Sequence, residues 1–571
     1  MNQKLPYGES NFKKVISGGY VYIDKTAYIA QLENTGSYHF LLRPRRFGKS
    51  LFVSMLAHYY DVSRADEFDA LFGKLYIGQQ PTSLKNAYQV LLMDFSGIAT
   101  ATAERVHNGF TASVNASIGS FLHRYGYAPE VFAHITQKTT SEEKIRIFFE
   151  AVKIADQKIL LLIDEYDHFA NTLLAEDRAL FQTIMGKGGF VRSFYEVLKS
   201  ATMTGVLDRL FITGVTPLML DSLTSGFNIA ENLSIKADFN AAMGFTHAET
   251  QGLLQPLAEQ CKLETAVIMV DVTDWYNGYR FHPDGTETVF NSDMVLYFAK
   301  NFDRDKCAYP KRMLDDNIAS DYRKIMALFQ IGDREANYQV LDDLINSDEV
   351  LAVQQRKFEL DKHFDRNDFI SLLAYMGFVT ISGETMTQTR FAIPNHVIRE
   401  LYFQYFKVEL EQRNQLTLPN QTLAVAIETL ALQGDLQPLA VEMQRVLEGL
   451  SNRDLIKLDE KHIKTLLLTL LYQFPIYFIQ SEREMGRKYP DVMLLERSPF
   501  AVKHQHLIEL KYAKKGDGEA GWAAKKQEGI EQVQGYLQLP AIAALPKLRA
   551  WLMLTDSERV EVVALSSGLG N

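Results

Sequence analysis

The stretch YHFLLRPRRFGKSLFVSML, Tyr38–Leu56, contains an apolar run, a basic loop and the start of a helical pattern, in that order. Its loop ends in Gly48, Lys49 and Ser50. In a P-loop, backbone N–H groups at the start of a helix bind phosphates, the lysine contacts the β and γ oxygens, and the hydroxyl binds Mg²⁺. Arg43 stands where the pattern G-x-x-x-x-G-K-[ST] has its first glycine, and a basic surface turn would carry the same tripeptide. The stretch thus predicts a strand, a phosphate-binding loop and a helix, provided that an acidic partner exists elsewhere.

An acidic partner follows the apolar run of KILLLIDE, Lys158–Glu165. Its consecutive apolar residues are typical of a strand buried on both faces of a parallel sheet. Asp164 at the end of this strand is predicted to bind Mg²⁺, and Glu165 to polarise the attacking water. A solvated strand end would show the same two acids, but their order after the P-loop favours a site for ATP and Mg²⁺. We expect the nucleotide and its metal to contact Arg43, Pro44, Arg45, Arg46, Phe47, Gly48, Lys49, Ser50 and Asp164, with Ser50 and Asp164 on the metal.

A further buried strand is predicted for RLFITGVTPL, Arg209–Leu218, with the polar residue Thr213 near its end. In P-loop ATPases of the AAA kind, the strand beside the acidic one carries a polar side chain that senses the γ-phosphate. Thr213 is therefore the candidate sensor in the nucleotide site. The alternative is a threonine that only caps the end of a strand.

Several motifs together resemble one protein family. They are LPYGESNFKKVISGGYVYIDKTAYIAQL (5–32), RPRRFGKS (43–50), LLIDEYDH (161–168), FITGVTPL (211–218), MGFT (243–246) and WYNGYRF (275–281). This set resembles the AAA-ATPase-like family of bacterial proteins that carry a C-terminal PD-(D/E)XK nuclease-like domain, and the likeness covers nearly the whole chain. An arginine at the first P-loop position is typical of that family. The resemblance implies an ATP-hydrolysing core followed by a nuclease-like domain.

A second chemical motif lies near the carboxyl end of the chain. Pro490-Asp491 is followed by Glu509-Leu510-Lys511, which is the pattern PD…E-x-K with 18 positions between Asp491 and Glu509. A loop through Ser498-Pro499 lets the two segments pair as adjacent strands, and the strand period of two puts Glu509 and Lys511 on one face. Two converging carboxylates bind Mg²⁺, and a neighbouring lysine can orient or deprotonate the water that cleaves a phosphodiester. Glu482 and Glu484 are alternatives for the first acid.

The family resemblance adds residues to this second site. Glu460 matches a position where the family usually has an acid, and Gln532 with Tyr536 matches the family's following helix. Lys464 departs from the family, which often has histidine there, so metal affinity and cleavage are the uncertain points of the resemblance. A domain that keeps this fold for structure or binding, without cleavage, is the alternative. The predicted catalytic residues of the whole chain are Glu165, Glu460, Asp491, Glu509, Lys511 and Gln532, with Asp491 and Glu509 also as metal ligands.

The predicted fold class is α/β, with a parallel AAA-like P-loop core, a helical and winged-helix middle region and a C-terminal restriction-endonuclease-like domain. We expect the core at 1–245, a helical lid at 246–304, a helical region at 305–450 and the nuclease-like domain at 455–571. Within the helical region, residues 366–408 show the order helix, strand, turn, strand, helix, which is the layout of a winged helix. Such modules bind DNA or act as arms in ATPase switches.

Composition limits the location and the partners. The chain of 571 residues has a formal net charge of −10, which argues against a protein that binds nucleic acid over its whole surface. A local patch is still possible, because nine basic and five acidic residues lie between Gly486 and Lys526. No apolar run approaches the length of a membrane span, and the N-terminal sequence shows no apolar core of a signal peptide, which predicts a cytoplasmic protein. Two cysteines, Cys261 and Cys307, are expected as thiols of a reducing compartment.

The sequence therefore predicts a nucleotide-controlled, Mg²⁺-dependent nuclease that acts on DNA. The alternative is an ATP-driven switch whose C-terminal domain binds nucleic acid or a protein partner without cleaving it. AAA-like sites are commonly completed by an arginine from a neighbouring subunit, and no such residue stands out in the sequence. We therefore also expect ATP-dependent self-association.

Overall fold

The computed structural model describes residues 4–186, 188–219, 229–320, 327–356, 358, 364–450, 459–481, 488–556 and 558–566. The chain divides into two compact units. The first contains Met1–Asn301 and Leu314–Ile398, and the second contains Phe302–Met313 and Arg399–Asn571. The boundaries predicted from the sequence stay a prediction, although the helical region 305–450 contributes residues to both units.

In the described part of the first unit, five parallel strands form the central sheet in the order β2-β3-β4-β1-β5. Every residue of β3 is buried, which confirms the strand predicted from its apolar run. Because all strands point the same way, their carboxyl ends share one edge, and Asp94 of β2 pairs in register with Asp164 of β3. The strands are β1 (Tyr38–Leu42), β2 (Gln89–Asp94), β3 (Ile159–Asp164), β4 (Leu207–Gly214) and β5 (Glu231–Asn232).

Helices surround this sheet, and the one that follows β1 begins in the basic loop. The α-helices of this unit are Phe12–Ser17, Ala27–Thr35, Lys49–Tyr60, Phe68–Phe72, Tyr76–Gln79, Ala103–Arg124, Pro129–Thr136, Ser141–Ile154, His168–Glu176, Arg178–Met185, Phe190–Met203, His247–Cys261, Thr265–Tyr276, Ser292–Asn301, Arg334–Ser347 and Arg366–Met376. Short 3₁₀ helices are Val62–Glu67, Leu233–Ile235, Ala237–Phe239 and Ala327–Gln330.

A small antiparallel sheet completes the first unit, with strands β6 (Glu349–Ala352), β7 (Thr380–Glu384) and β8 (Thr389–Ala392) in the order β6-β8-β7. The predicted order of helix, strand, turn, strand and helix is confirmed by these elements. Helix Arg366–Met376 is packed into the core, because Phe369, Ile370, Leu372 and Leu373 are all fully buried. It therefore presents little surface to a nucleic acid, and the winged-helix assignment stays a prediction.

The second unit holds a mixed sheet with the strand order β13-β12-β11-β10-β9 among its described residues. Antiparallel pairing of β10 with β11 confirms that the two halves of the PD…E-x-K motif lie on adjacent strands. Strands are β9 (Tyr477–Ser481), β10 (Val492–Glu496), β11 (Gln505–Tyr512), β12 (Leu548–Thr555) and β13 (Val560–Leu565). Helices are His396–Asn414, most of which belongs to this unit, Asn420–Gln433, Gln437–Glu448, Glu460–Leu471, Gly518–Leu537 and Pro540–Ala543, with a 3₁₀ turn at Lys515–Asp517.

One expectation from composition is wrong. Neither Cys261 nor Cys307 is a free thiol in the structure. The pairing state of cysteines distant in sequence depends on the fold, so their number and spacing gave no support for a reducing compartment. The cytoplasmic location stays a prediction. None of the described helices is both long enough and apolar enough to cross a bilayer.

Candidate nucleotide and nuclease sites

The basic loop after β1 turns into a helix at Gly48, whose φ of 88° lies in the left-handed region that favours glycine. The helix Lys49–Tyr60 begins directly after it, so its free N–H groups face the loop. Lys49 is only 4% exposed. Its Nζ donates to the carbonyl oxygen of Pro44 at 3.2 Å and lies 3.8 Å from Oε1 of Glu165. A cation is thus held between the loop and the end of β3.

The pKa values of the two acids at the end of β3 are shifted in opposite directions. Burial raises the pKa of Asp164 to about 6, against the effect of a hydrogen bond with Ser50. Burial would also raise the pKa of Glu165, but the charges of Lys49 and Arg45 and a contact with His168 lower it to about 2. The backbone of Glu165 has a φ of 50°, which turns its side chain out of the strand direction. Asp164 is therefore about half protonated near pH 6, while Glu165 is a carboxylate at that pH.

A cavity of about 450 Å³ opens beside these groups. Ligand sites in proteins have volumes of a few hundred Å³ with a mostly apolar lining and a few convergent polar groups. Such a lining suits a nucleotide, which has a flat base and a charged polyphosphate. The charged and polar lining includes Lys25, Arg45, Arg46, Gly48, Lys49, Ser50, Asp94, Asp164, Glu165, His168 and Asp293, and the apolar lining includes Val21, Ile23, Phe47, Met243, Phe245, Leu253 and Leu296.

The loop is braced by two short segments, residues 291–292 and the family motif MGFT. Asn291 Nδ2 donates to the carbonyl oxygen of Arg45 at 3.2 Å, and Ser292 Oγ donates to that of Arg46 at 3.1 Å. Gly244 donates its N–H to Phe47 at 3.1 Å. A Cβ on Gly244 would lie 2.7 Å from the carbonyl oxygen of Phe290, so no other residue fits this contact. The motif MGFT thus serves to hold the P-loop from the side.

Three residues predicted to contact the nucleotide point elsewhere. The Arg43 guanidinium donates to the carbonyl oxygens of Leu42, Ser234 and Phe239 at 2.6 to 3.0 Å, and like Pro44 it is not part of the cavity lining. Thr213 is fully buried, and its Oγ1 donates to the carbonyl oxygen of Leu41 at 2.6 Å. These contacts favour the structural alternative for Thr213 and a scaffold role for Arg43.

Sequence reasoning missed other members of the cavity wall. His168 begins the helix after β3, and its Nδ1 lies 3.7 Å from Oε2 of Glu165. Asp94 joins the wall because β2 is the neighbour of β3 in the sheet. The signal for Asp94 was available, since it ends an apolar run just as Asp164 does, but the strand order was needed to bring the two together.

The second site is built on one face of β10 and β11. The β10–β11 register places Asp491 beside Glu509 at the start of the pairing, and Oδ2 of Asp491 accepts the N–H of Leu510 at 2.8 Å. Lys511 Nζ donates to Oε1 of Glu509 at 3.1 Å and to Oε1 of Glu460 at 3.2 Å. Glu509 and Lys511 are each 3% exposed. The structure therefore brings together four of the predicted residues, and Lys511 lies between two carboxylates.

In this second site, three carboxyl groups surround one lysine. Burial raises the pKa of Asp491, and burial together with the charge of Asp491 raises that of Glu509. Burial lowers the pKa of Lys511, but the three neighbouring carboxylates outweigh it and raise that pKa overall. Oε2 of Glu509 is buried and has no hydrogen-bond partner among the residues the structure describes. A buried carboxylate oxygen without a hydrogen-bond donor is suited to bind a cation that does not belong to the protein.

The helix Gly518–Leu537 closes over this face. A Cβ on Gly529 would lie 2.4 Å from Leu552 and 3.1 Å from Cγ of Lys511, so the glycine permits the close approach. Tyr536 is buried, and its hydroxyl donates to the carbonyl oxygen of Tyr489 at 3.3 Å. Gln532, by contrast, is exposed on this helix. Its catalytic role stays a prediction without a supporting contact, and the alternatives Glu482 and Glu484 lie outside the described residues.

The basic patch of the C-terminal domain is weaker than its local charge suggested. Lys525 Nζ lies 2.8 Å from Glu528, and Lys526 pairs with Glu561. Both acids lie outside the interval in which the charges were counted. Pairing with these two acids thus neutralises part of the surface predicted to attract DNA. Among the described residues, no group of three or more His, Cys, Asp and Glu is placed to hold a metal ion.

Comparison with known proteins matches two regions of the chain to family models. Residues 6–224 match a family model described as Predicted AAA-ATPase, and residues 458–564 match that of the PD-(D/E)XK nuclease superfamily. An uncharacterized protein from the vnfD 5' region of Azotobacter chroococcum mcd 1 is 25% identical over 299 residues. This match covers 52% of each chain, so the chain spans about half the length of this curated relative.

Solved structures give only distant likeness. The Aeropyrum pernix ORC2 protein, in ADPNP and ADP complexes, aligns with 68% of this chain and 92% of its own, at 10% identity and a TM-score of 0.32. CDC6P from Pyrobaculum aerophilum aligns with 69% of this chain and 98% of its own, at 11% identity and a TM-score of 0.25. With scores this low, the assignment rests on the two family models. The chain therefore joins an AAA-ATPase-like domain to a PD-(D/E)XK nuclease-like domain.

Proposed function

We propose that the protein binds and hydrolyses ATP at the P-loop cavity and cleaves DNA at the Asp491–Glu509 site with Mg²⁺, under the control of the nucleotide. One observation carries the nuclease half. The half-buried carboxylate of Asp491 and the buried carboxylate of Glu509 have raised pKa values and lie side by side, and Oε2 of Glu509 lacks a partner among the described residues. A purely structural acid pair would be costly to keep in this state.

The residues at both sites fit Mg²⁺. Ser50, Asp164, Asp491 and Glu509 all offer oxygen, which is the donor that this ion prefers. Mg²⁺, when bound, would neutralise phosphate charge and polarise the reacting water or phosphate oxygens. The hydrogen bond between Ser50 and Asp164 joins the two predicted ligands of the nucleotide site.

At the nucleotide site, the side chains divide the work by charge. Lys49 and the loop N–H groups would bind the β- and γ-phosphates, because the lysine is desolvated and held over the loop. Glu165 remains ionised, so it can orient the attacking water by accepting its hydrogen bond. The apolar part of the cavity would exclude water from the base.

At the nuclease site, Lys511 would hold the attacking water. The lysine contacts Glu509 and Glu460, so its ammonium group stays on the face that carries the acid pair. Glu460, at the start of helix Glu460–Leu471, keeps Lys511 oriented from the other side. Helix Gly518–Leu537 packs over this face with its residues Gly529 and Tyr536.

The experiment is a cleavage assay on purified protein with plasmid and single-stranded DNA, Mg²⁺ or Mn²⁺, and ATP, ADP or no nucleotide. We expect cleavage by the wild type that depends on the metal, responds to the nucleotide and disappears in Asp491→Asn. Glu428→Gln is the matched control, because Glu428 is an exposed acid of helix Asn420–Gln433 in the same unit. Its cleavage rate should equal that of the wild type.

A second candidate is the ATP-driven switch without cleavage. The residue that favours it is Lys464, which is 3% exposed. The family that this chain resembles often has histidine at this position, so the lysine is a departure that affects metal binding and cleavage. ATP hydrolysis with intact DNA under every metal and nucleotide condition would replace the nuclease proposal with this one.

A further inference from the structure

The P-loop contains three arginines, and the structure gives each a different environment. Arg43 is 1% exposed, lies over the ring of Phe281 at 4.0 Å and donates to backbone carbonyl oxygens. Arg46 pairs with Asp293 at 3.2 Å, at the start of helix Ser292–Asn301. Arg45 is partly exposed and lines the cavity beside Lys49 and Glu165. Arg43 therefore supports the loop from outside the cavity, Arg46 is held by Asp293 at the cavity wall, and Arg45 lines that wall beside Lys49 and Glu165.

The backbone around Arg45 is fixed from both sides. Its carbonyl oxygen accepts from Asn291 Nδ2 at 3.2 Å. The next carbonyl, that of Arg46, accepts from Ser292 Oγ at 3.1 Å and from the N–H of Asp293 at 3.3 Å. A side chain on a loop held in this way starts from a defined position, which lowers the entropy lost when it contacts a ligand. The charge of Arg45 also reaches Glu165, whose pKa it helps to lower.

We propose that Arg45 contacts the γ-phosphate of ATP within its own chain and stabilises the charge that develops as the phosphoryl group is transferred. This inference rests on the ATPase proposed above. In the reaction, the water oxygen forms a bond to the γ-phosphorus and the bond to the β–γ bridging oxygen breaks. ADP leaves with the bridging oxygen, one water proton stays on the phosphate, and the other passes to solvent. Arg45 gives up no proton.

Arginine suits this role for a physical reason. Negative charge spreads over the three equatorial oxygens of the transferred group, and a planar guanidinium donates to two oxygens at once. In many ATPases and GTPases such an arginine comes from another protein, and it increases kcat by about 10³ to 10⁵. An arginine supplied by the loop itself makes the site complete in one chain. The reason for expecting self-association from the sequence then no longer applies.

The test separates binding from turnover in Arg45→Gln and Arg45→Lys. We expect ATP affinity within about fivefold of the wild type and a kcat at least about a thousandfold lower in Arg45→Gln, with partial recovery in Arg45→Lys. Arg105→Gln is the matched control, since Arg105 is exposed on helix Ala103–Arg124 and is not part of the cavity lining. A kcat of Arg45→Gln within tenfold of the wild type would overturn the proposal.

Mixing experiments then decide between one chain and two. Arg45→Gln keeps Lys49, and Lys49→Ala keeps Arg45, so an assembly that shares arginines would regain activity when the two variants are mixed. We expect no recovery and a wild-type specific activity that does not change with protein concentration. Recovery in the mixture would show that the arginine acts on a neighbour. A wild type without any ATPase activity would instead defeat the proposed function, and the two failures are therefore distinguishable.

Discussion

Lys49 and Lys511 are buried to nearly the same extent, with 4% and 3% of the residue exposed. Lys49 lies near Glu165 and Lys511 near Glu509, and each site also contains an aspartate. Their surroundings differ in the balance of charge. Glu165 is under the influence of Lys49, Arg45 and His168, which hold its pKa near 2 against the effect of burial. Glu509 is buried next to Asp491, and the pKa values of both acids are raised.

This difference teaches what each site is prepared to bind. At the candidate nucleotide site, Lys49 and Arg45 lie near Glu165 on the cavity wall, and this local positive charge suits a polyanion such as a triphosphate. At the candidate nuclease site Asp491 and Glu509 lie side by side and share Lys511 with Glu460, and the function proposed above therefore requires a divalent cation between the two acids before a phosphodiester can bind. The same residue types thus serve opposite ligands, because the number of neighbouring cations differs.

The largest expected effect is on the nuclease side of this comparison. Asp491→Asn removes one predicted metal ligand and the repulsion that makes the site ready for a cation. We expect Mg²⁺-dependent cleavage to fall at least about a thousandfold, or about 4 kcal/mol of activation free energy, while DNA affinity stays within about threefold. Gel-based cleavage and fluorescence anisotropy measure the two quantities. Cleavage by the variant at the wild-type rate would show that Asp491 is not a ligand.

On the nucleotide side, Glu165→Gln keeps the shape of the side chain and removes its charge. We expect kcat for ATP to fall by about a hundredfold to ten thousandfold, with an unchanged dissociation constant for ATP, because Glu165 orients water rather than phosphate. A phosphate-release assay and a titration with a fluorescent nucleotide check this. Unchanged turnover would assign the water to another residue, of which His168 is the nearest candidate.

A smaller effect is expected from Lys49→Ala on affinity. Loss of a desolvated cation at the β- and γ-phosphates should weaken ATP binding by about a hundredfold, or about 3 kcal/mol. The titration used for Glu165→Gln measures it, and Lys153→Ala, an exposed lysine on helix Ser141–Ile154, is the control. Equal affinity in Lys49→Ala would break the comparison, because the buried cation beside Glu165 would then have no role in binding.

The smallest effect concerns a buried carboxyl outside both sites. Burial raises the pKa of Glu400 to about 7, against the charges of Arg497 and Arg312. Its proton stays bound in the folded state after the unfolded chain has lost it, so this contribution to stability is present at low pH and lost as pH rises toward 7. Glu400→Gln should therefore gain stability relative to the wild type between about pH 4.5 and 7.

Thermal or urea unfolding at several pH values measures this slope in the wild type and the variant. We expect a difference of up to about 3 kcal/mol across that interval, since each pKa unit corresponds to about 1.4 kcal/mol. A parallel pH dependence in the two proteins would show that Glu400 is ionised in the folded state. The acid pair of the nuclease site would then need a reason other than burial for its raised pKa values.

Much of the fold was predictable because its signals are local. The apolar run of β3, the glycine before helix Lys49–Tyr60 and the period of two in β11 each depend on residues that are neighbours in the chain. The same local signals led to the prediction of Lys49, Asp164, Glu165, Asp491, Glu509 and Lys511 as site residues. The family motifs MGFT and WYNGYRF were visible too, but their function as braces and packing elements was not.

Tertiary structure decided which polar side chains face a ligand. Arg43, Arg45 and Arg46 are nearly equivalent in the sequence, yet Arg43 turns to carbonyl oxygens outside the cavity, Arg46 pairs with Asp293 at the cavity wall, and Arg45 lines the wall beside Lys49 and Glu165. Likewise Gln532 is exposed while Tyr536, four residues later on the same helix, is buried over the acid pair.

The sequence by itself determined two candidate sites, their order along the chain and the strand–loop–helix that forms the first. Only the folded chain brought Asp94 to the cavity wall and Gly244 to the P-loop, because both lie far from Lys49 in the sequence. The reason is physical. Secondary structure follows from neighbouring residues, whereas the direction of a buried side chain depends on which distant donors, acceptors and charges surround it after folding.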